Sequence, residues 1–232
     1  MKELTGFVIQ LSDYSNSDLI MNILTENGSE TISCKGVKKI SSKNKSLCQL
    51  YSKINIEVDD KSKYLILRQG TILKFPELAY KSLVTNYVLG VFTNFLMENI
   101  KNNLDFEKAY LSLEQLTNQE SDIITLIKVL FLILSLSGNQ INVEACVSCG
   151  SSKVSSFSLS EGGFYCSNCS LERLEKAELQ KIRRFLKSDL LSESELPHSF
   201  LNTSKLVKDL FEIIKEQTGI TIRNSNLFKD IF

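Results

Sequence analysis

Cys146-Val147-Ser148-Cys149 and Cys166-Ser167-Asn168-Cys169 are the residues of this sequence whose type and spacing speak most directly of chemistry. Two CxxC pairs with 16 residues between them suit tetrahedral zinc: each pair makes a tight knuckle, and the intervening segment can fold as a hairpin that brings the knuckles onto one ion. Gly150 lets the backbone turn after the first pair, and Gly162-Gly163 sits where a hairpin between Val154–Ser158 and Phe164–Tyr165 must reverse. Two disulfides would need an oxidising compartment, and a redox CxxC would need no second copy. Four thiolates fill the coordination sphere and leave no place for an activated water, so Cys146, Cys149, Cys166 and Cys169 are expected to hold one structural Zn2+ and no catalytic one. Cys34 and Cys48 lack a CxxC partner and read as core residues.

The second group with chemical meaning is Lys35, Lys38, Lys39, Lys43 and Lys45. These five lysines fall in an 11-residue window without an acid, a local charge of +5 in a chain of 27 basic and 27 acidic residues. Lys binds phosphate as a point charge, and the absence of Arg from the window argues against bidentate reading of bases. The segment would hold a nucleic-acid backbone with little sequence preference, or it is a solvated lysine loop. Tyr14, Tyr51 and Tyr64 could stack bases from the same region, and could equally be core.

Composition narrows the rest. A net charge of zero excludes a protein that is basic all over. The sole histidine, His198, excludes sites built on two or three His, and it follows Pro197 as a loop residue would. No phosphate-binding loop, dinucleotide fingerprint, nucleophile elbow or HExxH is present, and Asp59-Asp60 has no companion acids for a two-metal nuclease. An enzyme is therefore not expected. The start Met1-Lys2-Glu3-Leu4-Thr5 has no signal-peptide character, and the most apolar run, Ile123–Leu136, is too short to span a bilayer. A cytoplasmic protein with no membrane partner is the expectation.

The elements that must position these residues divide at Phe75-Pro76. Before it, β-like runs at Leu4–Leu11, Leu19–Thr25, Glu30–Cys34, Ile54–Val58 and Lys63–Leu73 alternate with turn residues. Asn27-Gly28 marks a hairpin, both residues tolerating positive φ, and Ser46–Lys53 suggests a small helix. The pattern fits a closed oligonucleotide-binding (OB) barrel over 1–76; an SH3-like barrel or a small sandwich would look much the same. After it the texture is helical over 77–232: Leu78–Ile100, Phe106–Leu116 and Ile123–Leu136, then the Cys-bearing insert at about 144–170, then Leu171–Leu190 and Ser204–Gln217. The fold class is α+β. Leu171–Leu190 interleaves basic and acidic residues as an exposed helix does, although Lys181–Lys187 is basic enough to extend a cationic surface.

Short motifs, in order, resemble one family over nearly the whole chain. Gly6-Phe7-Val8-Ile9, Ser17-Asp18-Leu19-Ile20 with Leu24-Thr25 and Gly28, and Lys35-Gly36-Val37-Lys38-Lys39 with Ser41-Ser42 are similar to the N-terminal barrel of the RecO family of bacterial DNA repair proteins. The apolar helix ending at Gly138, Cys146-x-x-Cys149-Gly150, Phe157-Ser158, Gly162-Gly163 and Cys166-x-x-Cys169 resemble its zinc-bearing helical domain, and Ile222-Arg223-Asn224-Ser225 resembles its closing motif. The resemblance implies an OB barrel joined to a helical domain with a four-cysteine zinc ribbon, and a recombination mediator without catalysis. Such a mediator binds single- and double-stranded DNA, anneals complementary strands, and with RecR assists RecA loading on DNA coated by single-stranded-DNA-binding protein. It also implies a nucleoid-associated setting and docking of the coating protein's acidic C-terminal tail, with Lys128 at the family's basic position; the Phe-Glu pair that follows in the family is Val129-Leu130 here. On this reading the five lysines hold phosphates, and Lys81, Arg183 and Arg184 extend the track. The competing readings are a non-catalytic zinc-ribbon scaffold that binds proteins and not DNA, and a hydrolase, which the closed Cys site disfavours.

Overall fold

The computed structural model describes every residue except 62–63, 100–103, 191 and 193–194, so the expected strand start at Lys63 and helix end at Ile100 lie outside the described residues. The chain divides into two compact units, Met1–Glu120 and Ser121–Phe232.

In the first unit, β1 (Lys2–Asp13), β2 (Leu19–Thr25), β3 (Gly28–Cys34), β4 (Lys53–Asp59) and β5 (Leu65–Lys74) close into a barrel in the order β1-β2-β3-β5-β4. The long β1 serves two partners: Lys2–Phe7 pairs with β4, and Phe7–Asp13 with β2. All neighbours are antiparallel except β3 and β5, which close the barrel in parallel through Ile32↔Leu65 and Ser33↔Ile66. This is the OB arrangement. Period-2 patterning turns Val8, Met21, Ile23, Ile32, Ile54 and Ile56 inward, all fully buried. Cys34 is buried among them, and Cys48 packs against the same cluster.

Phe7, Ile9 and Leu24 are also buried, although they alternate with the inward residues. Helices cover them. Beyond the short α1 (Glu77–Lys81), α2 (Leu83–Asn99) lies against β1 and α3 (Phe106–Leu116) against β2. Phe7 meets Tyr110 edge to face at 5.1 Å. The Lys53 ammonium reaches Glu114 at 2.5 Å and lies 5.3 Å from the Tyr110 ring centre; the Glu114 carboxylate raises the Lys53 pKa. The continuous helix expected over Leu78–Ile100 breaks at Ser82, which is extended and accepts the Thr85 amide on its hydroxyl, capping α2.

Two other local expectations are corrected. Ser46–Lys53 is not a helix: a single 3-10 turn spans Lys45–Leu47, and Tyr51, at φ 66°, donates its amide to the Val8 carbonyl, joining the barrel ladder instead. At the β2–β3 hairpin only Gly28 has positive φ, and Asn27 does not.

In the second unit, α4 (Ile123–Leu136) is buried on most sides and starts with a reciprocal cap between Asp122 and Thr125. It packs against α6 (Thr203–Thr218), which ends at Gly219 in the left-handed conformation. β6 (Val154–Ser158) and β7 (Gly163–Cys166) form a hairpin, and α5 (Lys176–Lys187) follows. The helix expected from Leu171 starts five residues later, because the Leu174 amide extends along β6 to the Ser155 carbonyl and Arg173 caps the carbonyls of Ser167 and Ser170. A run of rings, Phe131–Phe185–Phe200–Phe157–Phe164, with centroids 5.7–6.4 Å apart, ties α4 and α5 to the hairpin. Among the described residues no helix is long and apolar enough to cross a membrane.

Candidate functional site

The four cysteines converge as their spacing demands. Their sulfur atoms all lie within 4.8 Å of one another, and Cys149 Sγ is 3.6 Å from Cys166 Sγ. Each knuckle is made by backbone: the Gly150 amide donates to the Cys146 carbonyl, and the Cys169 and Ser170 amides to the Cys166 carbonyl. The hairpin is pinned to the chain before the first knuckle by Asn142, whose amide donates to Gly162 and whose carbonyl accepts from Phe164. At Gly163 a Cβ would collide with that Asn142 carbonyl, so only glycine permits the approach.

Four thiols at this separation cannot all ionise on their own. Burial works to raise the Cys146 thiol, but amides of Cys166, Cys149 and Ser148 outweigh it and bring it down to about 6. The Ser151 amide favours the Cys149 thiolate, yet the neighbouring thiols of Cys166, Cys169 and Cys146 push it up to about 12. One cation would resolve the conflict by stabilising all four thiolates together. The cluster can hold one metal ion.

The lysine segment is a built loop. The Asp18 carboxylate accepts the Gly36 amide at 2.7 Å and the Ser17 hydroxyl at 2.7 Å, and these bonds hold its pKa below the usual carboxylate value. Gly36 takes φ +65°, which glycine alone adopts freely. The Lys38 amide donates to the Ser17 carbonyl, Val37 turns into the barrel core, and the Asn44 amide side chain donates to the Arg68 carbonyl on β5. With both ends fixed, Lys35, Lys39, Lys43 and Lys45 stand exposed. Among the described residues, none of these four has an acid within salt-bridge distance. Lys38 differs: its ammonium binds Asp13 at 2.5 Å and the Ser15 carbonyl at 3.2 Å.

The other expected residues lie elsewhere, each with its own environment. Lys81 pairs with Glu77 one turn away on α1. Arg184 is exposed on α5, whereas Arg183 donates to the Val143 carbonyl and covers the Phe164 ring at 5.3 Å, bracing the ribbon. Lys128 is 6% exposed; its ammonium donates to the carbonyls of Asp189 and Ser192 and to the Ser192 hydroxyl, 5.6 Å from the Phe185 ring centre. Burial lowers its pKa. Of the three tyrosines left open by sequence, Tyr51 is core at 6% exposure, while Tyr14 and Tyr64 are exposed. Asp18 stood in the sequence only as part of a family-like motif, and its role as the acceptor that fixes the lysine loop at Gly36 was not read there. Its signal was present in Ser15-x-Ser17-Asp18, a turn whose polar side chains cap backbone amides.

Two family models match the chain: "Recombination protein O N terminal" over residues 1–75 and "Recombination protein O C terminal" over residues 79–215. The DNA repair protein RecO of Mycoplasma capricolum subsp. capricolum is 28% identical over an alignment of 248 positions, covering 99% of this chain and 98% of that protein. The protein of the same name from Mycoplasma mycoides subsp. mycoides is 30% identical, covering 72% of this chain and 70% of the relative. That from Oceanobacillus iheyensis is 22% identical, with 100% and 94% covered. The chain belongs to the RecO family of DNA repair proteins.

Proposed function

We propose that this chain is a non-catalytic recombination mediator that binds single- and double-stranded DNA and anneals complementary strands. With RecR, it would assist RecA loading on DNA coated by single-stranded-DNA-binding protein. The observation that carries the reading is the row of exposed lysines at Lys35, Lys39, Lys43 and Lys45, none of which has an acid within salt-bridge distance among the described residues, presented from a closed barrel by a loop fixed at both ends. Annealing requires two polyanions to approach, and cations that neutralise phosphates on both lower that repulsion without reading sequence. Lys81, Arg183 and Arg184 are the further basic residues assigned to the DNA track; of these, Lys81 is exposed beside Glu77 on α1 and Arg184 is exposed on α5.

We assign Zn2+ to the Cys cluster. A tetrahedral ion with Zn–S bonds of about 2.3 Å sets its sulfurs about 3.8 Å apart, within the range the four thiols span. Bound there, the ion supplies fold stability and no nucleophile. The acidic tail of the coating protein is assigned to the second unit at Lys128. Docking there requires the tail carboxylate to displace the Asp189 and Ser192 carbonyls from the ammonium.

The test is strand annealing of complementary oligonucleotides, bare and coated, over a salt series. Accelerated annealing of both that fades as salt rises is expected. No annealing and no oligonucleotide binding at low salt would overturn the reading in favour of a protein-binding scaffold.

A further inference from the structure

Two large apolar side chains stand on the lysine surface without packing. Ile40 is 98% exposed, one residue beyond Lys39, and Tyr14 is 72% exposed in the β1–β2 turn. The turn and the loop are laced into one surface. The amides of Tyr14 and Ser15 close on the Asp18 carbonyl, the Asp18 carboxylate holds Gly36, the Ser17 carbonyl holds the Lys38 amide, and the Lys38 ammonium bridges Asp13 and the Ser15 carbonyl. Tyr14 is therefore carried between residues that Lys38 grips on either side, and Ile40 rides on the same loop. Single exposed apolar residues are common and need no explanation. Here, though, both stand beside the exposed lysines, so a polyanion held by those lysines would meet an aromatic ring and a branched aliphatic chain.

We propose that Tyr14 and Ile40 form a contact platform for an unpaired base, so that this lysine surface distinguishes single-stranded DNA from duplex. This rests on the reading of the lysine loop as a phosphate grip and adds the chemistry that grip lacks. Lysines neutralise phosphates of either form, whereas a stacked duplex offers no free base face along its length. A single strand does, and every base has one, so the preference is for unpairedness and not for sequence. Ile40 supplies an apolar edge against the same base or its neighbour.

The chain has no Trp, so Tyr14→Trp makes a sole reporter. Its emission should be quenched in a saturable way by oligo(dT) and remain unchanged with a blunt two-stranded duplex of equal phosphate number. Tyr14→Ala should weaken oligo(dT) binding about tenfold or more, with duplex affinity and salt slope unchanged and with Tyr14→Phe restoring it. Ile40→Ser should shift the same preference in the same direction. Melting curves of all four variants show whether the exposed positions are structurally silent. Equal losses on single strand and duplex, or no loss for Tyr14→Ala where Lys35→Gln and Lys39→Gln do weaken binding, overturn the platform and leave the grip standing. If the lysine variants bind like the parent, the grip itself fails.

Discussion

Changing Lys35, Lys39, Lys43 and Lys45 together to Gln removes the four loop lysines that stand exposed without an acid at salt-bridge distance, and leaves the Asp18–Gly36 and Asn44–Arg68 anchors in place. If each ammonium displaces one counterion from a single strand, the slope of log affinity against log salt should flatten by about 2.8, at about 0.7 per contact. Over a fourfold rise in salt, from about 50 to 200 mM, the parent should then lose about 50-fold more affinity than the variant does. The assay is fluorescence anisotropy with a labelled oligo(dT) at five or six salt concentrations, repeated with a second sequence of the same length. Loss should be the same on both sequences. Lys38→Gln is the internal control: its ammonium already faces Asp13 at 2.5 Å, so it should change the slope less than Lys35→Gln does. An unchanged slope for the quadruple variant, or equal slopes for the two single variants, would refute the assignment of the phosphate contacts.

Three further outcomes follow from the geometry. Asp18→Asn removes an acid beside the lysines, so charge counting alone expects tighter DNA binding; because Asp18 holds Gly36, weaker binding at low salt is expected instead, and tighter binding would show that the loop needs no anchor. Zinc should accompany the purified protein in near-stoichiometric amount; stripping it, or Cys166→Ser, should expose the Val147 and Phe164 amides to hydrogen exchange while the Val8 amide stays protected. Structural zinc contributes about 10–16 kcal/mol in small fingers, as much as a whole domain's stability, so intact ribbon protection without metal would count against the site. Burial acts to raise the Glu178 pKa, but hydrogen bonds from the Ser199 amide and hydroxyl, each 2.7 Å, hold it below its usual 4.5. Its stabilisation is therefore full above that pH and is lost as pH falls through the depressed value. Urea unfolding of Glu178→Gln against the parent should show a gap that is constant down to about pH 4.5 and shrinks below it, and a pH-independent gap would remove Glu178 from the account.

What sequence disclosed and what it withheld divide along the range of the interaction. The Cys cluster was legible because a CxxC knuckle is closed by amides two to four residues away, such as Gly150 to Cys146. The strands were legible because Ile54, Ile56 and Val58 alternate with polar neighbours. The Ser46–Lys53 helix failed because the Tyr51 amide finds its acceptor 43 residues earlier, at Val8, which no local pattern announces. The start of the helix expected from Leu171 was misplaced for the same reason, through Leu174 and Ser155. Charge was visible and its employment was not. Lys35 and Lys38 look alike in the sequence, but of the two it is Lys38 whose ammonium closes a salt bridge, with Asp13, and Lys128 and Arg183 are engaged by backbone carbonyls of Asp189, Ser192 and Val143, which every residue possesses.

The seam between the two family segments near residue 76 is not where dependence ends. Phe7 rests on Tyr110 and Lys53 on Glu114, so α3 belongs with the barrel half. In a collection of loss-of-function alleles, lesions at Tyr110 or Glu114 would sort with those of the barrel and apart from those of the metal ribbon, despite lying on the C-terminal side of the seam. A graft of the barrel into another protein would have to carry the chain to Glu120; the heritable module is longer than the motif by which it is recognised.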